Sequence, residues 1–223
     1  MNTNPGVVGR KLGMTQLVAA DGTITPCTVI EAHAVVVAKR TQATDGYDAL
    51  VVGFDVLKEK HTTKPVAGFF KKNGVDPKKY VRELRCSAEH AAKFELGQEI
   101  KLDQIFDEGQ FVDVQATSKG RGFTGVMRRY HFKGAVRSHG AHEYHRHGGS
   151  IGSNMTPGRV FKGKKMPGQS GNATVSVLNQ RVAKVLPDDG LVLIRGAVPG
   201  ARNAVITVRG SVKKKNGGKV PVS

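Results

Sequence analysis

The chain has 223 residues, enough to bury one good core or two small ones without disulfides or metals to staple it. Its 35 Lys and Arg outweigh 18 Asp and Glu, a formal net charge of +17 with an isoelectric point near 10.1, which points to a polyanion as partner. No apolar run approaches the roughly 18–20 residues of a spanning helix, and the amino end has neither signal- nor transit-peptide character, so a soluble, intracellular protein of prokaryotic type is expected.

Short β-rich runs open the chain: TQLVAA, TPCTVIEA, AVVVAKR and DALVVGF, with Asp21-Gly22 and Asp45-Gly46 between them as signals for tight hairpin turns. Cys27 and Cys86 stand far apart and in no paired motif, and are expected as small core residues in a reducing compartment. Over 56–98 the pattern loosens. KPVAGFFKKNGV reads as a short helix closed by Gly74 and KYVREL as a strand, which makes a small α+β insertion. QFVDVQATS returns to the strand pattern, and after a long basic stretch TVSVLNQRVAKVL, LVLIRG and AVITVRG follow, punctuated by Asp188-Asp189-Gly190. Many short strands at near-regular spacing argue for an antiparallel barrel or sandwich. Because strands lie on both sides of the basic stretch, the body is expected to close only when the two parts meet. That divides the chain into a β body over 1–55, 99–118 and 171–211, the insertion over 56–98, an extension over 119–170 and a basic tail over 212–223.

Between Thr117 and Ser170 there are 11 Lys and Arg against the single acid Glu143, a net of +10 in 54 residues, and the same stretch holds 11 of the 28 glycines and five of the eight histidines. It has too little apolar pattern to offset its ordering entropy alone, so it is expected to become ordered against a polyanion.

Three motifs in this stretch suggest chemistry. GRVFKGKKMPGQSGN fits the phosphate-cradling GxxxxGK at Gly158, Gly163 and Lys164, but Lys165 stands where Ser or Thr would hold magnesium, and a loop precedes it where a strand is needed. GRGFTG fits GxGxxG at Gly120, Gly122 and Gly125, yet lacks the following helix, second strand and acid of a dinucleotide fold. HGAHEYHRH gathers His139, His142, His145 and His147 around Glu143, a conceivable zinc hydrolase, although HExxH and cysteine ligands are absent. With a single acid the stretch cannot assemble a catalytic triad or paired carboxylates, so no enzyme activity and no cofactor are expected.

Which nucleic acid fits? Aromatics are 6% of the chain with no Trp, a poor stacking platform for single strands, and no helix-turn-helix or zinc-finger spacing reads a DNA groove. A glycine-loosened basic arm suits folded RNA, recognised by shape, phosphates and 2'-hydroxyls. A nonspecific DNA-compacting protein is the rival within this class. The candidate contacts are Lys119, Arg121, Arg128, Arg129, Lys133, Arg137, His139, His142, His145, Arg146, Arg159, Lys162, Lys164 and Lys165.

Four blocks in order, GVVGRKLGMTQ, TSKGRGFTGVMRRYHFKG, SHGAHEYHRHGGSIGSNMTPGRVFKGKKMPGQSGN and LVLIRGAVPG, cover much of the chain. In them the sequence resembles the universal family of third large-subunit ribosomal proteins, in its bacterial form. The resemblance implies a mainly β fold, a six-stranded antiparallel barrel of translation-factor type with a small α+β insertion and a long basic loop. It also implies a structural role without catalysis, direct binding near the 3' end of the large-subunit rRNA, and early action in assembly. Proteins fourteen and nineteen of that subunit are the implied neighbours, and the loop is implied to approach the peptidyl transferase centre. Carried over, the loop's return limb is 162–172, and Gln169 matches a glutamine that some bacteria N-methylate, which implies a glutamine methyltransferase as partner. Tyr130 stands where some relatives have Trp, and HGGSIG where others have PGSIG.

Overall fold

The computed structural model describes residues 2–214, so the expected tail falls outside the described residues from 215 onward. Its first residues are tied down: the Val212 N–H is donated to the Asp113 carboxylate at 3.0 Å, and Lys214 Nζ lies 4.3 Å from the Phe111 ring centroid. The chain forms two compact units, a body before Ser118 and after Ala173, and an arm over Ser118–Ala173.

In chain order the body contributes β1 (Gly6–Val18), β2 (Ile24–Glu31), β3 (Ala34–Arg40), the one-turn helix α1 (Gln42–Asp45), β4 (Ala49–Val56), α2 (Lys64–Lys72), β5 (Lys78–Arg85), α3 (Ala88–Ala92) and β6 (Phe111–Thr117). The arm contributes β7 (Gly122–Thr124), α4 (Val126–Tyr130) and β8 (Gly168–Ser170), and the body resumes with β9 (Thr174–Leu186), β10 (Leu191–Arg195) and β11 (Val205–Gly210). Six strands close an antiparallel barrel in the order β1-β11-β6-β9-β10-β2, so the fold is the mainly β, six-stranded barrel that the sequence suggests.

Closure depends on two 13-residue strands that change partner midway. β1 pairs with β11 up to Arg10, which faces Val205 on one side and Glu31 of β2 on the other, and then runs on along β2. β9 pairs with β6 through Arg181 and with β10 from Val182. Each change lies beside a register slip, at Lys11/Gly13, Val112/Val114 and Leu193/Ile194, and such bulges bend strands round a barrel. Side chains of alternating residues then meet inside: Val7, Ile30, Val112, Val114, Val182, Val192, Ile194, Ile206 and Val208 are all buried. Each such side chain contributes about 1.5–3 kcal/mol of transfer free energy.

Two expectations need correction. Residues 34–56 do not join the barrel. β4 pairs with β3 on one side and β5 on the other in a separate three-stranded sheet, order β3-β4-β5. The strand pattern of AVVVAKR and DALVVGF carries no record of its partners, and β4 is buried on both faces because one side meets the main core and the other meets Phe70 of α2. Asp45-Gly46 is not a two-residue hairpin turn either. The Asp45 carboxylate accepts from the Thr41 N–H, the Thr44 hydroxyl and Arg40, which winds one helical turn that Gly46 ends at φ 78°. Those donors hold the Asp45 carboxyl below its usual range, with the Thr44 hydroxyl the leading cause. Cys27 and Cys86 are free and buried, and burial pushes both thiols up.

Candidate nucleic-acid interface

The arm begins as a hydrogen-bonded neck. Ser118 donates its N–H to the Ala173 carbonyl at 2.9 Å, Asn172 returns one to the Ser118 carbonyl at 3.2 Å, and Arg121 donates to the Ser170 carbonyl at 2.8 Å. Gly171 fits here because its φ is +70° and a Cβ would run into the Lys119 carbonyl, so any other residue would force the two limbs apart. β7 and β8 continue the ladder with Phe123 opposite Gln169. Gln169 lies exposed in the middle of β8 on this ladder.

α4 then carries the Arg pair. Its Val126 is buried, and His131 ends it in the left-handed region at φ 60°. From its last turn Arg129 donates through Nη1 to the Met166 carbonyl at 2.8 Å, which ties the outgoing helix to the return limb. The guanidinium also lies over the Tyr130 ring, 5.0 Å from its centroid, and Lys165 approaches the same ring at 5.8 Å. Gly168 leaves the room this requires, since a Cβ there would sit 2.7 Å from Arg129 Nη1.

Beyond Phe132 a 3-10 turn over His142–Arg146 organises the histidine block. His145 Nδ1 donates to the Val136 carbonyl at 3.0 Å, because a carbonyl only accepts, and the Ala135 N–H is donated to the His145 carbonyl at 3.1 Å. The Tyr144 and His147 rings meet edge to face at 5.1 Å. Among the described residues no group of three or more His, Cys, Asp or Glu is gathered to hold a metal ion.

The 14 sequence-selected cations and histidines therefore divide in two. Lys119, Arg121, Arg128, Lys133, Arg137, His139, His142, Arg146, Arg159, Lys162, Lys164 and Lys165 are exposed. Arg129 and His145 are half-buried and hold the arm's own backbone. The near P-loop is an irregular turn. Gly158 and Gly163 take φ values of 66° and 77°, Lys164 donates its N–H to the Phe161 carbonyl at 3.3 Å, and no helix follows to point amides at a nucleotide. The GxGxxG run leads only into three-residue β7 and one-turn α4.

Sequence reasoning overlooked the arm's aromatic rings. Five of the chain's 13 Phe and Tyr residues lie in it, and Phe123, Tyr144 and Phe161 are 77%, 66% and 61% exposed. A count confined to 118–173 would have found them, whereas the whole-chain figure of 6% diluted them. Together the exposed cations, the flat rings and a single acid, exposed Glu143, make a surface suited to phosphates, sugars and unstacked bases.

Comparison with known proteins agrees with this geometry. A family model described as Ribosomal protein L3 matches residues 70–190. The chain is similar to the large ribosomal subunit protein uL3 of Sorangium cellulosum, 59% identical over 223 residues, which span 100% of this chain and 96% of the relative. It is also similar to that of Fusobacterium nucleatum, 50% identical over 210 residues (94% and 98%), and of Brachyspira hyodysenteriae, 45% over 212 residues (95% and 96%). The chain belongs to the ribosomal protein L3 family.

Proposed function

We propose that this protein binds the large-subunit rRNA directly near its 3' end, acts there early in subunit assembly, and sends its arm toward the peptidyl transferase centre. Family membership makes it a structural component of the large ribosomal subunit, in the cytoplasmic ribosome, and not an enzyme. Association with that RNA and with other ribosomal proteins comes with the family. The finer reading extends this, with proteins fourteen and nineteen of the subunit as neighbours.

The observation that carries it is the arm's chemistry: 11 Lys and Arg against one acid in 117–170, with 12 selected side chains exposed and the backbone organised by its own neck. Cations on an irregular, glycine-rich path neutralise phosphates between closely packed RNA segments where a regular helix or strand would not fit. In the division of labour proposed here, residues 119–170 work as the RNA-threading extension. The strands of 1–55, 99–118 and 171–211, with the insertion 56–98, work as the anchoring body.

Gln169 is the proposed acceptor of N5-methylation. Its exposure on β8 and its match to the family's modified glutamine support this, and a glutamine methyltransferase would be the transient partner. Mass spectrometry of protein from native ribosomes is expected to find one added methyl group on the peptide holding Gln169.

The RNA reading is tested by sedimentation and competition. Native protein is expected to travel with large subunits through a moderate salt wash, and a 3'-terminal rRNA fragment is expected to outcompete duplex DNA. Equal competition by DNA would leave a nonspecific compacting protein as the better description.

A further inference from the structure

Charge outside the arm is also uneven. Residues 58–85 carry nine Lys and Arg against Glu59, Asp76 and Glu83, a net of +6 in 28 residues. Outside this stretch and 117–170, 15 basic residues face 14 acidic ones. Nearly all of the body's excess charge therefore sits on α2, β5 and the turns around them.

α2 is held in an unusual way. Of its nine residues only Phe70 is buried, packed with Val37, Ala38 and Val51 beneath the three-stranded sheet. No side chain caps its start, no acid lies in its first turn, and a Cβ on its central Gly68 would meet nothing within 4 Å. A helix this short is marginal in water, and an interior glycine costs about 1 kcal/mol relative to alanine. What α2 presents outward is Lys64, Lys71 and Lys72, with Val66 and Phe69 between them. β5, the edge strand of the sheet, adds exposed Lys79 and Arg82. Among the described residues no lysine of 58–85 forms an ion pair.

Lysines on an edge strand have a common purpose, to block strand addition by another chain. That accounts for Lys79 on β5. It does not account for three unpaired lysines, a partly exposed phenylalanine and no acid on a helix that is not part of any sheet edge.

We propose that α2 and β5 form a second RNA-contact surface, separate from the arm, that takes the phosphate backbone of a folded segment of the large-subunit rRNA. The proposal rests on the reading that this protein binds that RNA, and adds where else it does so. RNA fits better than a protein partner because α2 carries cations without a single acid, while its exposed apolar area is confined to Val66 and Phe69 amid lysines. Lys64, Lys71, Lys72 and Arg82 would each neutralise a phosphate, and Phe69 would lie against sugar or an exposed base.

The test uses the full chain and a 3'-terminal fragment of large-subunit rRNA, with affinity measured across a salt series. The quadruple variant Lys64→Gln, Lys71→Gln, Lys72→Gln, Arg82→Gln replaces only exposed side chains, and its melting curve checks that it is folded. Each lost phosphate contact lowers the slope of log affinity against log salt by roughly 0.7–0.9, so a fall of about 3–3.5 is expected for the four. Affinity near 0.1 M salt is expected to drop about 10- to 100-fold. A charge-preserving variant, Lys64→Arg, Lys71→Arg, Lys72→Arg, Arg82→Lys, is expected to keep both. A control quartet of exposed cations elsewhere on the body, Lys93→Gln, Lys101→Gln, Lys184→Gln, Arg202→Gln, is expected to change the slope by less than about 1.

An unchanged slope in the first variant overturns the proposal, as does an equal fall in the control quartet. If the first variant binds RNA like wild type but loses another ribosomal protein from isolated subunits, the surface is a protein interface and the proposal is overturned too. Failure of the wild-type chain to bind the fragment at all would instead overturn the rRNA reading itself.

Discussion

The body and the arm of this chain are ordered by different forces. In the body, alternating Val, Ile and Leu side chains meet inside a barrel, and burial sets the structure. In the 56 residues of the arm only Thr124 and Val126 are buried, and order comes from backbone hydrogen bonds at the neck, from Arg129 across the limbs and from glycines that permit close approach. One region carries its stabilising contacts within itself. The other leaves its strongest groups, the cations, turned outward, which is sensible only for a segment whose main contacts belong to a partner.

Deleting 119–170 and joining the ends with a short glycine linker tests that contrast at its largest. Thr117 and Thr174 are already ladder partners, so β6 and β9 need no rearrangement to be joined. The truncated protein is expected to keep a cooperative thermal transition and β-rich circular dichroism, while affinity for the rRNA fragment falls by roughly three orders of magnitude at moderate salt. Loss of the transition would mean that the arm is part of the core.

The converse change acts on stability alone. Ile194→Ala removes a fully buried side chain from the barrel and is expected to cost about 2–5 kcal/mol in denaturant unfolding, with RNA affinity of the folded protein unchanged. Arg129→Ala is the intermediate case. It frees the Met166 carbonyl to water and is expected to speed amide exchange at Arg121 and along β7 about tenfold, ~1.4 kcal/mol of local opening, while the global melting temperature stays put.

The strands and the basic arm were legible because each leaves a one-dimensional trace, period-two alternation for one and a run of like charge for the other. Partner choice leaves none. AVVVAKR and DALVVGF look like barrel strands as much as TPCTVIEA does, yet they pair with each other, and DALVVGF also with β5, a strand some 20–40 residues farther on, and not with the barrel. The structural role of Arg129 and His145 was not legible, because composition cannot tell a side chain that faces outward from one that reaches a backbone carbonyl elsewhere in the arm. The helix α2 was legible in KPVAGFFKKNGV, but its outward-facing charge was not, because its lysines flank the apolar run PVAGFF, which reads as a buried face. Only its near-complete exposure separates it from an ordinary amphipathic helix.

The smallest expected effect comes from pH. His90 packs edge to face on Phe94 at 5.2 Å, and burial pushes its imidazole below the usual value, with nearby Lys93 adding to the effect. The unfolded chain therefore binds a proton there more readily than the native one, so stability is full above about pH 6.5 and declines as pH falls below it. His90→Gln is expected to flatten that decline, measured as melting temperature between pH 7 and pH 5.

The most direct test of an arm whose outward cations meet its partner's phosphates is the salt dependence of rRNA binding by the intact chain. With roughly six to ten phosphates neutralised, affinity for the 3'-terminal fragment is expected to fall about 10³- to 10⁵-fold between 50 and 200 mM salt. An affinity that stays level across that range would contradict it.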